Sequence, residues 1–242
     1  MRADCIPTPA NPRRVLTILL LGLLLAAASL PLDPAIAQFC RRLQPGGDLR
    51  LGGDFRRTLE LLQQFGDVAT CTICAIVIWL LDPARRRHLL QALLALVGSF
   101  AVVQTIKILA GRPRPRVIFG NPKPGYDGVI QFTGPFRPYP LPRTGPGETT
   151  EYLLRHSWEV WGGISSDLWS FPSSHTSAAA GLAVVLARFY PPLRPLVWSL
   201  VVIVAIARVV FGAHFPSDVI AGGVLGYAMT ALFLKIRPEP RT

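Results

Sequence analysis

Charged side chains are scarce in this 242-residue chain: Asp, Glu, Lys and Arg together make up 16%, against 50% hydrophobic residues. That shortage, with a mean hydropathy of +0.39, excludes an ordinary soluble domain and points to an integral membrane protein. Acid is scarcer than base, with 14 Asp and Glu against 25 Lys and Arg and a net charge of +11. The basic residues stand singly or in short clusters between apolar runs, and no RNA-binding aromatic motif accompanies them. Nucleic acid is therefore not expected as a partner; membrane topology and anionic headgroups explain the excess. Cysteine is limited to Cys5, Cys40, Cys71 and Cys74, which give no secreted disulfide framework. Cys71 and Cys74 fall inside an apolar run, where the pair reads as small apolar packing. No internal repeat is present.

What the chain has is a series of apolar runs, at about 15–31, 67–81, 89–110, 173–190, 196–210 and 216–234. They predict an all-α fold: a polytopic membrane helical bundle of about six transmembrane helices, with a long non-cytoplasmic loop before the fourth. The first run is near the ~17 to 25 residues a span needs. Ala35-Ile36-Ala37 behind it looks like a signal-peptide cleavage site, so an uncleaved first span competes with a cleaved leader. Asp54 is expected to cap an interfacial helix over 55–65, with Phe55, Leu59, Leu62 and Phe65 on one face. Residues 82–88 are expected to form a tight loop.

The Pro- and Gly-rich segment 112–171 carries Trp158, Trp161 and Trp169 and reads as a membrane-surface cap, with a short helix expected within 149–158. The expected divisions are a cytoplasmic N-terminus at 1–14, a first span and interfacial helix at 15–66, and a helical core at 67–242 that includes loop 112–171. Basic residues in the short loops and at both termini assign those segments to the cytoplasm. Six spans then put the third-to-fourth and fifth-to-sixth connections together on the opposite face.

Three polar clusters meet on that face. The first is Lys107 through Arg114-Pro115, where Pro113 and Pro115 disfavour helix in the residues before them, so that Arg114 should curl back over the helix end. The second is Pro172-Ser173-Ser174-His175, where the start of a helix offers free N–H groups to an anion. In the third, Arg208, His214 and Asp218 lie at the seam of two spans; a carboxylate four residues beyond an imidazole can accept one ring N–H and leave the other nitrogen as a nucleophile. Snorkelling cations and a capped helix explain each cluster alone. They do not explain three cations, a helix N-terminus and two histidines on one face.

These residues resemble the three signature motifs of the type 2 phosphatidic acid phosphatase family, with the spacings K-x6-R-P and R-x5-H-x3-D in order. The resemblance covers about residues 89–234. It implies a membrane phosphatase that needs no metal or other cofactor and acts on a lipid phosphate. In that reading His214 attacks phosphorus to form a phosphohistidine, Asp218 orients it, and His175 protonates the leaving group. Lys107, Arg114, Arg208 and the backbone at Ser173 and Ser174 would hold the phosphoryl oxygens. Ser174 and Ala207 depart from the family pattern, which usually has glycine and serine there. Arg112 does not fit the motif spacing and reads as a neighbouring headgroup contact.

The implied substrates are polyprenyl diphosphate, phosphatidic acid or phosphatidylglycerol phosphate, or lipid A, met at the outer face of a bacterial-type inner membrane. Membrane lipids are the surroundings, and oligomeric state is left open. Vanadate-dependent haloperoxidases resemble the same oxyanion site but are soluble. A non-catalytic headgroup-binding or transport protein is the alternative, and it has no need of His214 and His175 as nucleophile and acid.

Overall fold

The computed structural model describes residues 11–44, 47–49, 51–120, 123, 132–143, 151–160 and 166–234. The sequence expectations that rest on the first ten residues, on Trp161 and on the basic C-terminal tail lie outside them.

The chain is mostly helical. The helix α1 (Pro12–Ser29) opens on an Asn11 cap and Pro12, and a 3-10 turn at Leu30–Leu32 leads into α2 (Asp33–Arg42). An amphipathic helix, α3 (Gly53–Leu62), begins one residue ahead of Asp54, so Gly52 rather than Asp54 is the cap. Asp67 caps α4 (Val68–Leu81) through the Ala69 N–H.

The next helix departs from expectation. α5 (Pro83–Ala110) starts immediately after α4, with Asp82 accepting from the Arg85 N–H. The segment expected as a loop is the cap and the first two turns of α5, because an Asp cap followed by Pro at the first helical position starts a helix whatever the charge of the next residues. α5 ends at Gly111, whose φ of 56° turns the chain toward α6 (Pro115–Gly120). A side chain at Gly111 would stand 2.4 Å from the Gly134 carbonyl oxygen, so close approach and left-handed backbone both favour glycine there.

The cap is not wholly helical. β1 (Tyr139–Arg143) pairs antiparallel with β2 (Glu151–Arg155), Leu141 facing Leu153. The short helix expected within 149–158 is a strand instead: its backbone is satisfied by a local partner strand, with Tyr152 facing Pro142 and Leu153 facing Leu141.

α7 (Ser174–Phe189) is the centre of the molecule, buried from Thr176 to Phe189 except at Ala178. It packs against α5, α8 (Arg194–Val210) and α9 (Pro216–Phe233), while α1 lies on α9. Ala179, Ala180, Gly181 and Ala183 let the backbones approach, and Val15 of α1 joins the same core. Leu21, Leu24, Leu25, Leu80, Leu81, Leu90 and Val97 point outward. That outer face of leucine and valine is the surface of an integral membrane protein. Cys71 and Cys74 are free thiols packed at the edge of the core.

Among the described residues three helical stretches are long and apolar enough to cross a membrane: Pro12–Arg42, Pro83–Gly120 and Pro191–Val210. A fourth is added if the bent pair Gly53–Gly66 and Val68–Leu81 forms one span. α4 and α7, at 14 and 16 residues, rise about 1.5 Å per residue and fall short of a ~30 Å hydrocarbon core by themselves.

Candidate active site

The end of α5 carries Lys107, buried to 3% exposure. Its amine does not rise to the interface as a snorkelling lysine would. It donates to the carbonyls of Trp169 at 2.7 Å and Pro172 at 2.5 Å, tying α5 to the chain entering α7. Arg114 follows the Gly111 turn. Its N–H and Nε donate to the carbonyls of Asp167 and Ser166 at 2.8 and 2.9 Å, leaving its two terminal nitrogens without a hydrogen-bond partner among the described residues.

At the start of α7 the cap is Ser173, and Pro172, expected to open the helix, sits one residue ahead of that cap. The Ser173 Oγ accepts from the Thr176 N–H and hydroxyl. Its own N–H donates to the Asp218 carbonyl at 3.0 Å, so this donor, expected to be free for an anion, is engaged. The N–H groups of Ser174 and His175 have no partner among the described residues and are the open donors of this helix end. Ser174 Oγ turns to Gln104. A side chain at Gly222 would meet the Ser173 carbonyl oxygen at 2.4 Å, so α9 reaches this cap only because residue 222 is glycine. His175 Nε2 lies 4.0 Å from the Asp67 carboxylate.

Between α8 and α9, His214 is 2% exposed. Its Nδ1 stands 2.7 Å from the carbonyl oxygen of Ser170. A carbonyl only accepts, so Nδ1 carries the proton and Nε2 keeps a lone pair. Burial, then the charges of Arg114, Lys107 and Arg208, push the His214 imidazolium well below the ordinary histidine range, against the Ser170 hydrogen bond. The ring is therefore neutral at neutral pH. Asp218 does not make the direct hydrogen bond to His214 expected of it: its Oδ2 is 3.7 Å from Nδ1. Instead that oxygen accepts from the Ser170 hydroxyl and from the Phe215 N–H at 2.5 and 2.8 Å.

Arg112 corrects the sequence reading most sharply. It is 1% exposed, not a headgroup contact. Its guanidinium lies between the rings of Phe132 and Phe215, 4.8 and 4.2 Å from their centroids. At its edge it bonds Asp218 Oδ1 and Asp33 Oδ2, at 2.5 and 2.6 Å, and the Ser217 hydroxyl at 2.7 Å. Asp33 is fully buried. One arginine thus bridges two carboxylates, and Lys107 and Arg114 add positive charge acting on Asp218.

Arg208 reaches the same place from α8. Its Nη1 donates to Gln63 at 3.2 Å while its Nε is buried without a partner among the described residues. A cavity of about 470 Å³ opens beside it, lined by Gln63, Arg116, Phe211 and Ala213 among others. The charges of Lys107, Arg114 and Arg208 act on both His175 and His214. Three motifs from separate helices therefore converge on a pair of imidazoles.

The family model of the PAP2 superfamily matches residues 88–241. The chain belongs to the PAP2 superfamily. An 80-residue stretch of this PAP2 chain is 32% identical to a lipid A 1-phosphatase of Rhizobium etli, covering 29% of the chain and 34% of that protein. A lipid A 1-phosphatase of Rhizobium johnstonii is 31% identical over 80 residues, 29% of this chain and 33% of that one. The match spans about a third of the length of these relatives. Two crystal structures share the fold. One is the first transmembrane PAP2 type phosphatidylglycerolphosphate phosphatase from Bacillus subtilis, with a TM-score of 0.56 and 19% identity over 90% of this chain and 93% of that one. The other is LpxE of Aquifex aeolicus, with a TM-score of 0.53 and 16% identity over 77% and 88%.

Sequence reasoning passed over Ser170, Ser217, Asp67 and Asp33. A signal for Asp33 was present: an acid directly behind an apolar run invites the question of its partner. The serines and Asp67 carried no comparable mark.

Proposed function

We propose that this PAP2 protein hydrolyses a lipid phosphate through a phosphohistidine on His214. The 2.7 Å contact of His214 Nδ1 with the Ser170 carbonyl oxygen is the observation that carries the reading, since a proton held on Nδ1 leaves the Nε2 lone pair free for attack on phosphorus. As the N–P bond forms, the P–O bond to the lipid breaks and His175, which takes up a proton from solvent as the negative charge of the bound phosphate offsets the neighbouring cations, gives that proton to the leaving oxygen. Water then attacks the phosphohistidine, His175 takes its proton, and phosphate and free His214 result. Lys107, Arg114, Arg208 and the open N–H groups of Ser174 and His175 bind the phosphoryl oxygens as charge redistributes. Ser173 holds the helix end by capping it, and Asp218 holds His214 through Ser170.

The lipid character of the substrate is supported by an apolar cavity of about 280 Å³ between α4, α5 and α7, lined by Val68, Leu96, Val97, Phe100 and Ala178 among others. The likeness to lipid A 1-phosphatases favours lipid A, and the candidates also include phosphatidylglycerol phosphate, phosphatidic acid and polyprenyl diphosphate. The reading includes six membrane crossings, with a bacterial inner membrane as the site and the 112–171 cap facing the periplasm, as the loop charges favour.

The test is phosphate release by purified protein in detergent over that panel of lipids. Release from at least one of them, lost in His214→Ala, is expected. Wild-type turnover by His214→Ala overturns the mechanism.

A further inference from the structure

Asp33 belongs to α2, outside the family-matched region, yet it reaches the same buried cluster as Asp218. The contacts form one connected path. His214 Nδ1 is held by the Ser170 carbonyl at 2.7 Å. Ser170 is itself gripped twice: its N–H donates to the Arg112 carbonyl at 2.9 Å and its hydroxyl to Asp218 at 2.5 Å. Arg112 governs both grips, the first through its backbone and the second through its ion pair with Asp218. What orients the Arg112 fork, between its two phenyl rings, is a second carboxylate across from the first.

That carboxylate is Asp33. It accepts from Arg112 Nη2 at 2.6 Å, from the Ser217 hydroxyl at 2.5 Å and from the Ser217 N–H at 3.1 Å. Ser217 is in the first turn of α9, so Asp33 also satisfies an otherwise open donor at the start of the helix that carries Asp218. Without its charge, Arg112 is drawn to Asp218 alone, and a donor at the start of α9 is left weakly satisfied or open. Both changes act on Ser170 and therefore on the direction of the His214 ring.

We infer that Asp33 is a positioning residue for His214, acting through Arg112, Asp218 and Ser170, and that the amino-terminal helical segment is thereby part of the catalytic apparatus. This rests on the phosphohistidine reading of His214. The site is complete only in a chain that keeps Asp33, so cleavage after Ala37 is incompatible with it.

The experiment compares wild type, His214→Ala, Asp33→Asn and Arg112→Lys in detergent, with kcat and KM measured on the best lipid phosphate of the panel. Asp33→Asn keeps the volume and removes the charge; Arg112→Lys keeps the charge and removes the planar fork. Size-exclusion profile and thermal unfolding report folding, and intact mass of the wild type reports its N-terminus. A misplacement of about 1 Å costs on the order of 10² in rate. The expected result is a kcat lower by about that factor with KM within about twofold, in folded protein, and a wild-type mass that includes Asp33.

Wild-type kcat in Asp33→Asn overturns the inference, as does a loss confined to KM. If one variant fails to fold, the other decides. If neither folds, the pair is a folding element and the positioning role is wrong. Active wild-type protein that begins after Ala37 also overturns it. If the wild type releases no phosphate from any lipid of the panel, the phosphohistidine reading and this inference fall together. An active wild type, an inactive His214→Ala and an unimpaired Asp33→Asn remove only the inference.

Discussion

His214 Nδ1 lies 2.7 Å from the carbonyl oxygen of Ser170 and 3.7 Å from Asp218 Oδ2. The tautomer of His214 is therefore set by a backbone group, which no side-chain substitution deletes. The carboxylate acts one step further back.

An ordering of variants follows. Ser170→Ala keeps the carbonyl and loses only a hydroxyl bond to a carboxylate, about 1.5 to 3 kcal/mol. Asp218→Ala leaves the Phe215 N–H and one edge of a buried arginine unmatched, which costs about 3 to 5 kcal/mol. Phosphate release and thermal unfolding should both rank Ser170→Ala closest to wild type, then Asp218→Ala, with His214→Ala inactive. A Ser170→Ala protein as damaged as Asp218→Ala would contradict the ordering.

His175 is expected to matter in proportion to how poor the leaving group is. His175→Ala should lose on the order of 10² to 10⁴ in kcat on a lipid phosphate, whose alkoxide needs a proton. On an aryl phosphate, whose leaving group needs none, the first turnover should survive as a burst of phenol. Stopped-flow absorbance checks this, and loss of the burst would remove His175 from the acid role.

The buried, neutral state of His214 also predicts a pH dependence of stability. Its folded pKa is pushed well below the ordinary range, while the unfolded value is about 6.5. Between those values the unfolded chain binds the extra proton, so stability rises with pH. The contribution is whole above about pH 6.5 and is lost progressively below it. Melting temperature in detergent should fall from pH 7 to pH 5, and fall less in His214→Gln. An equal fall in both would show that other groups carry the effect.

Orientation is open to direct chemical labelling. Phe136 in the cap and Ala84 at the start of α5 are both exposed. In intact spheroplasts of a cysteine-free variant, an impermeant thiol reagent should modify Phe136→Cys and spare Ala84→Cys. The reverse pattern would invert the topology.

The placement of the helices was readable because apolar runs and caps coincide: Ser173 before α7, Pro216 at the start of α9, Asp67 before α4. The grouping of Lys107, Arg114, His175, Arg208 and His214 was expected from the spacing of their motifs and from their place at the ends of apolar runs, and the charges of Lys107, Arg114 and Arg208 do act on both imidazoles. The start of α5 was misjudged because three arginines and a histidine looked like a loop while Asp82 and Pro83 began a helix. The β1–β2 hairpin was missed because Pro140 and Pro142 interrupt β1 and β2 shows little periodicity. Arg112 was misjudged because neither its carboxylate at position 33 nor its ring at Phe132 is near it in sequence. Local pattern can mark Asp33 as an acid in need of a partner, but it does not say which cation that partner is.

The most direct test of the mechanism is to trap the phosphoenzyme. Purified protein is mixed in detergent with a lipid carrying a radiolabelled phosphate and quenched into alkali within one turnover, and the labelled peptide is identified by mass spectrometry. An alkali-stable, acid-labile phosphoryl group on His214, absent from His214→Ala and accumulating in His175→Ala with an activated leaving group, is the expected result. A phosphoryl group on any other residue, or full turnover by His214→Ala, would contradict it.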